Sequence, residues 1–588
     1  MLFFVVLSLK TTAAIVYKAN NFTYAAILEV AALFSGIFIA MQVPLAILEA
    51  SGKTITATMN QPWHFFWATG SLSSFLDNET GVFTLQNYTD ILGRSYYRTA
   101  IYNSVIIGLS SMVGALVIGI PLAFFTTRFK IKGKSFISTL AILALVSPPF
   151  IGAYAWITML GSNGWLRHGL ESIGIPMPTI YGPLGIILVF SLKFYPFVYL
   201  LTAGAISTIN VSLEDAAESL GYRPYSKFMR VTLPLIFPAV STGALLAFVL
   251  SLADFGTPSI IGRNFRVLST LAYNLYTSEL GGNPGLASTV SILLILVSLI
   301  FVYMQRIMIR KKDFGSDMLR QPEVKQLSLI KSIPVHALCY LIVFLSSLPS
   351  LVVIYNSFRK TSGPVFKPGF GLDSYRRIIN DVPEAIFNSF IFSVSAVLMI
   401  VVLGTLIGYA VARKPSILTG FLDFMLMIPY IIPGVVLGLG FIVSFNSKPL
   451  FLAGTATIII LVIFIRRLPY SVRSSVSILK QINIGVEEAA ISLGAGPAKT
   501  FMKVTLPLMV PGVFAGAMMA FITAINELSS SIILYVGGTV TMPVRIYLSV
   551  LDGEFGTAAA LSSILLAATG VAVFAIIHIT ESNEGAFL

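Results

Sequence analysis

Long apolar runs alternate with short polar ones along the whole chain, and the runs have the length of a membrane crossing. About twelve of them occur, with approximate centres in 24–46, 100–126, 137–157, 183–207, 235–255 and 285–305, then in 333–355, 386–412, 418–442, 453–474, 508–528 and 557–578. Each holds roughly 20 residues, the number a helix needs to cross the hydrocarbon of a bilayer. They are too many and too long for a soluble core, so the predicted fold class is an all-α polytopic membrane protein.

Composition supports this: 56% of the 588 residues are hydrophobic, 11% are charged, and mean hydropathy is +0.87. The net charge of +13 does not imply nucleic acid, because the bases fall in clusters between apolar runs. Lys10 and Lys18, the group Arg128, Lys130, Lys132 and Lys134, the group Arg223, Lys227 and Arg230, the series from Arg306 to Lys331, and Arg413, Lys414, Lys499 and Lys503 all lie on one side if every run is crossed. That side is the cytoplasm by the positive-inside rule, and both termini are expected there. Residues 1–17 are nearly long enough to span, but Lys10 at their middle is costly by about 2.5–3.5 kcal/mol, so a cytoplasmic or interfacial segment is expected. A basic start and a small-residue cleavage site are missing, which argues against a signal peptide. Cys339 is the single cysteine, which leaves no intrachain disulfide and no cysteine-rich metal site.

The polar loops carry a repeat. EDAAESLGYRPYSKFMRVTLPLIFP from Glu214 to Pro238 aligns without a gap to EEAAISLGAGPAKTFMKVTLPLMVP from Glu487 to Pro511, with 15 of 25 positions identical at an offset of 273. Further echoes stand at an offset of 285: Asn103-Ser104 with Asn388-Ser389, Gly119 with Gly404, and Arg128 with Arg413. Each half is therefore one six-span unit, and an even span number makes the two repeats parallel. The expected organisation is an N-terminal segment at 1–23, repeat 1 at 24–305, a charged cytoplasmic linker at 306–332, repeat 2 at 333–580 and a tail at 581–588.

Within the repeated segment, Ser212 and Asp215 stand at capping-box spacing, with Glu214 in the first turn where the helix dipole favours anions. Gly221 ends that helix in a left-handed conformation, Pro224 opens the next, and Pro234 and Pro238 are expected to interrupt the chain as it re-enters the membrane. Gly485, Glu488, Gly494, Pro497, Pro507 and Pro511 take the corresponding places in the second copy. Ala216-Ala217 and Ala489-Ala490 keep the first helix thin on one side, as docking into a groove requires. A loop helix packing on its own membrane domain would explain one copy; two matched copies favour an interaction surface.

The pattern Glu-x-Ala-Ala-x-x-x-Gly followed by Leu-Pro resembles the signature cytoplasmic loop of permease subunits of bacterial ABC importers, the binding-protein-dependent inner-membrane components. The resemblance extends from about residue 24 to 580. It implies the type I ABC importer permease fold in the bacterial inner membrane. It also implies that Glu214, Ala216, Ala217, Gly221 and Pro234, with Glu487, Ala489, Ala490, Gly494 and Pro507, form coupling loops for two copies of an ATPase subunit. Substrate is expected from a periplasmic or lipid-anchored binding protein. Fusion of two units in one chain, with SLADFGTPSIIG at Ser251 and NELSSSIILY at Asn526, looks like the ferric-iron branch. Permeases for anionic solutes such as phosphonates, phosphate esters or thiamine derivatives look similar. A secondary transporter would share twelve helices in two halves but has no reason to repeat this loop.

No G-x-x-x-x-G-K-[ST] phosphate loop occurs, so ATP hydrolysis is expected in separate subunits. His64, His168, His336 and His578 lie in different segments and form no catalytic or metal constellation; no cofactor is expected. Four charges inside the apolar runs are candidates for the translocation pathway: Lys193 and Arg466 at mid-depth of the fourth spans, and Asp254 and Glu527 near the outer ends of the fifth. Arg467 adjoins Arg466. Bases at such positions would repel a bare trivalent cation by several kcal/mol.

Overall fold

The computed structural model describes residues 85–209, 211–278, 283–310, 324–446 and 450–584. These belong to the larger of two compact units, Leu72–Leu588. The smaller unit, Met1–Ser71, lies outside the described residues, and with it the expectations for residues 1–23 and for a span at 24–46.

Repeat 1 runs through α1 (Ser95–Arg128), α2 (Lys134–Val146), α3 (Pro149–Leu160), α4 (Pro183–Ser207), α5 (Val211–Ser219), α6 (Pro224–Ala253), α7 (Gly256–Ile261), α8 (Leu268–Thr277) and α9 (Pro284–Arg310). Repeat 2 begins with α10 (Leu329–Ser357). It continues with α11 (Pro383–Arg413), α12 (Ile417–Ile431), α13 (Gly434–Ser444), α14 (Ala456–Gln481), α15 (Ile484–Ser492), α16 (Pro497–Ile525), α17 (Met542–Leu551) and α18 (Phe555–Glu584). A hairpin of β1 (Arg359–Ser362) and β2 (Val365–Phe370), antiparallel with Thr361 opposite Phe366, follows α10 and is a local departure from the all-α expectation.

Eight of the described helices are long and apolar enough to cross a membrane: α1, α4, α6, α9, α10, α11, α16 and α18. The runs expected as continuous spans at 137–157 and 418–442 are instead broken, Lys134–Val146 against Phe150–Ser172 by 101° and Ile417–Tyr430 against Gly434–Ser444 by 106°. Proline is the cause in both. The residue before a proline is driven out of the helical region, and Ser147 before Pro148 and Ile432 before Pro433 have ψ of 135° and 129°. Helix α14 has the length of a span but carries Arg466, Arg467, Arg473 and Lys480.

The core of each repeat is a close crossing of its second and fourth spans. Small residues let membrane helices approach without a hydrophobic driving force between them. A Cβ on Gly119 of α1 would lie 2.8 Å from Val198 Cβ of α4, and one on Gly404 of α11 would lie 2.6 Å from Ser471 Cβ of α14. These are equivalent contacts in the two repeats. Between repeats, α10 packs on α2 and α3. Tyr154 donates to the Phe555 carbonyl at 2.7 Å, and the Tyr195 and Ser346 hydroxyls bond at 3.0 Å. The linker returns to repeat 1: Lys325 N–H donates to the Arg128 carbonyl at 2.9 Å and its carbonyl accepts from Lys130 N–H at 3.1 Å.

Candidate coupling loops and membrane charge cluster

Each repeated loop folds as a short helix ended by a glycine in left-handed backbone. Gly221 has φ 81° and Gly494 has φ 85°. Around them the hydrogen bonds form the double closure of a Schellman motif. In the first copy, Gly221 N–H donates to the Glu218 carbonyl at 2.9 Å and Tyr222 N–H to the Ala217 carbonyl at 3.1 Å. In the second, Gly494 N–H donates to Ile491 at 2.9 Å and Ala495 N–H to Ala490 at 3.0 Å. The helix starts differ from expectation. Helix α5 begins at Val211, which puts Ser212 inside its first turn, and the cap of α15 is Asn483, whose side chain accepts from Gly485 N–H at 2.9 Å.

The glutamates of the two loops point inward. Glu214 is buried, and its Oε1 accepts from Arg128 Nη2 at 2.6 Å and from the Thr232 hydroxyl at 2.7 Å. Glu487 is also buried; its Oε1 accepts from Arg413 Nε at 2.9 Å and its Oε2 from Tyr409 at 3.4 Å. Arg128 and Arg413 are the last residues of α1 and α11. Each glutamate thus fastens its loop to the C-terminal end of a second span. The echoed arginines acquire a role the sequence alone did not supply, although their shared offset was the signal.

With Glu214 and Ala217 facing in, the opposite face of the loop helix is open. Leu213, Ala216 and Leu220 lie on it at i, i+3 and i+7, and all three are exposed; Val486, Ala489 and Leu493 repeat the arrangement. Leu220 is 78% exposed and Leu493 89%, which leaves two matched apolar faces, each with a small residue at its centre. The flanks differ. Glu218 pairs with Lys227 at 2.7 Å, and the bond from that ammonium holds the carboxyl below its ordinary pKa. Ile491 and Thr500 replace this pair in the second loop.

The prolines after each loop do not interrupt the chain as expected. Helices α6 and α16 are continuous, with one π-helical turn at Phe228–Thr232 and at Phe501–Thr505. Leu233 N–H reaches the Phe228 carbonyl, and Leu506 N–H the Phe501 carbonyl. The widened turn falls immediately before Pro234 and Pro507, which lack the N–H that a regular helix would need there. In the first copy the wide turn also delivers Thr232 to Glu214.

The four membrane charges have different partners in the two repeats. Glu527 accepts from Arg466 Nη1 at 2.6 Å, from Arg467 and from Ser530 N–H at 3.1 Å. Base and acid of repeat 2 therefore meet. Lys193 instead caps the end of α2, donating to the Ala144 carbonyl at 2.8 Å and to the carbonyls of Leu145 and Ser147. Asn526 of repeat 2 donates to the Val146 carbonyl beside them at 3.3 Å. Asp254 accepts from Thr257 N–H at 2.8 Å. The break at Pro148 frees carbonyls, and Lys193 is the group that takes them up. Arg467, Asn526 and Gly434 belong to the cluster although the sequence reading gave them no role; a Cβ on Gly434 would lie 2.6 Å from Arg466 Nη1.

Asn103-Ser104 and Asn388-Ser389 hold the segments that lead into α8 and α17. Ser104 Oγ accepts from Leu268 N–H at 2.7 Å and Ser389 Oγ from Met542 N–H at 2.6 Å, so each caps the first residue of α8 or α17 from another helix. Asn103 donates to the Arg266 carbonyl at 2.9 Å, and Asn388 to the carbonyls of Gly538 and Val540 at 3.1 and 3.0 Å.

A family profile described as binding-protein-dependent transport system inner membrane component matches residues 115–313 and again 400–581, more than half of the chain. A second profile, described as putative citrate transport, matches residues 1–202. The ferric transport system permease protein FbpB of Actinobacillus pleuropneumoniae is 30% identical over 507 residues, 84% of this chain and 73% of that one. The putative ferric transport system permease protein FbpB 1 of Haemophilus influenzae is 29% identical over 488 residues, 81% of this chain and 75% of that one. Among solved structures, a bacterial alginate ABC transporter in complex with an alginate-bound periplasmic protein covers 50% of this chain and 99% of its own, at 20% identity and a TM-score of 0.34. Two matches in one chain, falling on two repeats of apolar spans, identify it as a multi-pass inner-membrane transport subunit that belongs to the family of binding-protein-dependent transport system inner membrane components.

Proposed function

We propose that the chain is the membrane permease of an ATP-driven importer of iron(III), receiving substrate from an extracytoplasmic binding protein and driven by two copies of a separate ATPase subunit. The observation that carries the reading is the pair of matched apolar faces at Leu213, Ala216 and Leu220 and at Val486, Ala489 and Leu493. Each stands on a helix braced from behind by a buried glutamate. A braced helix with an exposed apolar face suits insertion into a groove of a partner. ATP hydrolysis belongs to that partner in this reading, and the permease itself is not catalytic. Relatives named for ferric transport that align over most of the chain support iron as the substrate.

Lys193, Arg466, Asp254 and Glu527 are assigned to the translocation pathway between the repeats. With Arg467 they make three bases against two acids, an excess of one positive charge. Such a cluster repels a bare trivalent cation, so the transported species is iron(III) coordinated by anionic ligands. The profile for putative citrate transport favours one second reading, an anionic solute without the metal.

Uptake in cells, measured with labelled iron(III) alone, with labelled iron(III) citrate and with labelled citrate, separates these readings. Accumulation of metal from the chelate supports the proposal. Accumulation of citrate independent of iron would replace iron with the anion as substrate. For coupling, Leu220→Asp with Leu493→Asp should abolish co-purification of the ATPase subunits while leaving membrane insertion unchanged.

A further inference from the structure

In both repeats one helix is fastened at its inner end to the coupling loop and at its outer end to the first residue of the outer helix. Helix α1 carries Arg128 at one end and Asn103-Ser104 near the other; α11 carries Arg413 and Asn388-Ser389. The two anchor points are 24 residues apart in each case, Ser104 to Arg128 and Ser389 to Arg413. That spacing is about 36 Å of helix, more than the thickness of the bilayer hydrocarbon. Helix α1 contains one interior proline, Pro121, and α11 contains none. Both are held against the fourth span at Gly119 and Gly404, whose bare backbones meet the side chains of Val198 and Ser471.

We infer that α1 and α11 are struts that carry displacement between the coupling loops and the outer helices α8 and α17, with Asn103, Ser104, Asn388 and Ser389 as the positioning residues at their outer ends. The inference rests on the coupling role proposed for the loops. Its physical content is that backbone donors at a helix start have no partner within their own helix. Here the partner is a buried hydroxyl on the strut. A shift of Glu214 therefore moves Arg128, the strut, Ser104 and Leu268 as one connected body.

The two struts end on different groups of repeat 1. Next to Leu268, the Ser269 hydroxyl donates to the Asp254 carbonyl at 2.9 Å, so this path ends on an acid of the membrane cluster. In repeat 2 the residue after Met542 is Pro543, which has no hydroxyl to give. Motion of the first coupling loop is thereby delivered to Asp254, and motion of the second passes through α17 to α7 of repeat 1, where the Tyr547 and Ser259 hydroxyls bond at 2.6 Å.

The experiment uses the full complex with its ATPase subunits and loaded binding protein. Ser104→Ala with Ser389→Ala should still co-purify with the ATPase and keep the basal hydrolysis rate, while stimulation by loaded binding protein falls about 5-fold or more. Ser269→Ala alone should lower stimulation, whereas Pro543→Ser should leave it unchanged. Wild-type stimulation in the double alanine variant would overturn the inference. A second arm tests rigidity with a covalent link in place of the Asn103–Arg266 hydrogen bond: Asn103→Cys with Arg266→Cys in a Cys339→Ala background, oxidised to the disulfide. A strut and outer loop that move together should keep uptake when cross-linked. Uptake lost on oxidation and restored by reductant would show that they separate during the cycle and would end the proposal. Failure of the wild-type chain to retain ATPase subunits would instead reject the coupling-loop reading, and the cross-link read by uptake in cells would still decide the strut.

Discussion

Arg128 and Glu214 are 86 residues apart in the chain and 2.6 Å apart in the fold, and Arg413 and Glu487 repeat the relationship across 74 residues at 2.9 Å. The glutamate of each coupling helix therefore acts on its own membrane domain. It fixes the orientation of the exposed apolar face, Leu213 and Leu220 in the first loop and Val486 and Leu493 in the second, and in the proposed function that face meets the partner.

Removing one member of a buried pair leaves the other charge uncompensated, at a cost on the order of 3 kcal/mol. Glu214→Ala and Arg128→Met should each loosen the first loop and lower ATPase co-purification. The double variant Arg128→Met with Glu214→Met should recover assembly relative to either single change, because no unpaired charge remains. Equal loss in all three, measured by co-purification at matched expression, would mean that Glu214 contacts the partner directly.

The turn glycines allow a cleaner backbone test. Nothing lies within 4 Å of a Cβ built on Gly221 or Gly494, so any penalty of substitution comes from conformation and not from a clash. Gly221→Val with Gly494→Val should destabilise the loops by about 1–2 kcal/mol each and lower transport while the protein still inserts. Asparagine at both positions should cost less, since it tolerates the left-handed region. Transport that fails equally with valine and asparagine would point to a requirement for bare surface at these positions.

Much of this architecture was legible because it was written twice. The offset of 273 places the coupling helices, their glycines and the π turns in register, and the offset of 285 pairs Arg128 with Arg413 and Ser104 with Ser389. The two offsets belong to different segments, and only folding brings them together. An arginine at the end of one span and a glutamate in a later loop give no local pattern that marks them as partners. The breaks at Pro148 and Pro433 were visible as residues, yet a continuous apolar run outweighed them in the reading. The pairing within the charge cluster was hidden for a related reason: Glu527 lies just beyond α16, where the chain turns back to meet Arg466 and Arg467.

Orientation follows from the basic clusters and can be read directly on exposed sites. Ser416, after Arg413 and Lys414, should as cysteine be labelled only from the cytoplasm. Ser362, in the β1–β2 hairpin, should as cysteine be labelled only from outside. Impermeant thiol reagents applied to intact cells and to inverted vesicles distinguish the two, and labelling of both sites from one side would refute the positive-inside assignment.

The cluster at Glu527 gives the most specific stability prediction, because one acid serves two bases. Arg466→Met leaves Glu527 paired with Arg467, so the protein should remain close to wild-type in thermal stability in detergent. Glu527→Gln strands both guanidinium groups in the protein interior and should destabilise by about 3–5 kcal/mol. Combining Glu527→Gln with Arg466→Met removes one stranded charge and should recover part of that loss. If the stable Arg466→Met variant loses uptake of iron(III) citrate while its ATPase subunits still assemble, Arg466 handles substrate. Uptake at the wild-type rate would leave the Arg466–Glu527 pair as a structural tie between α14 and the turn after α16, and would remove the electrostatic objection to a bare cation at that position.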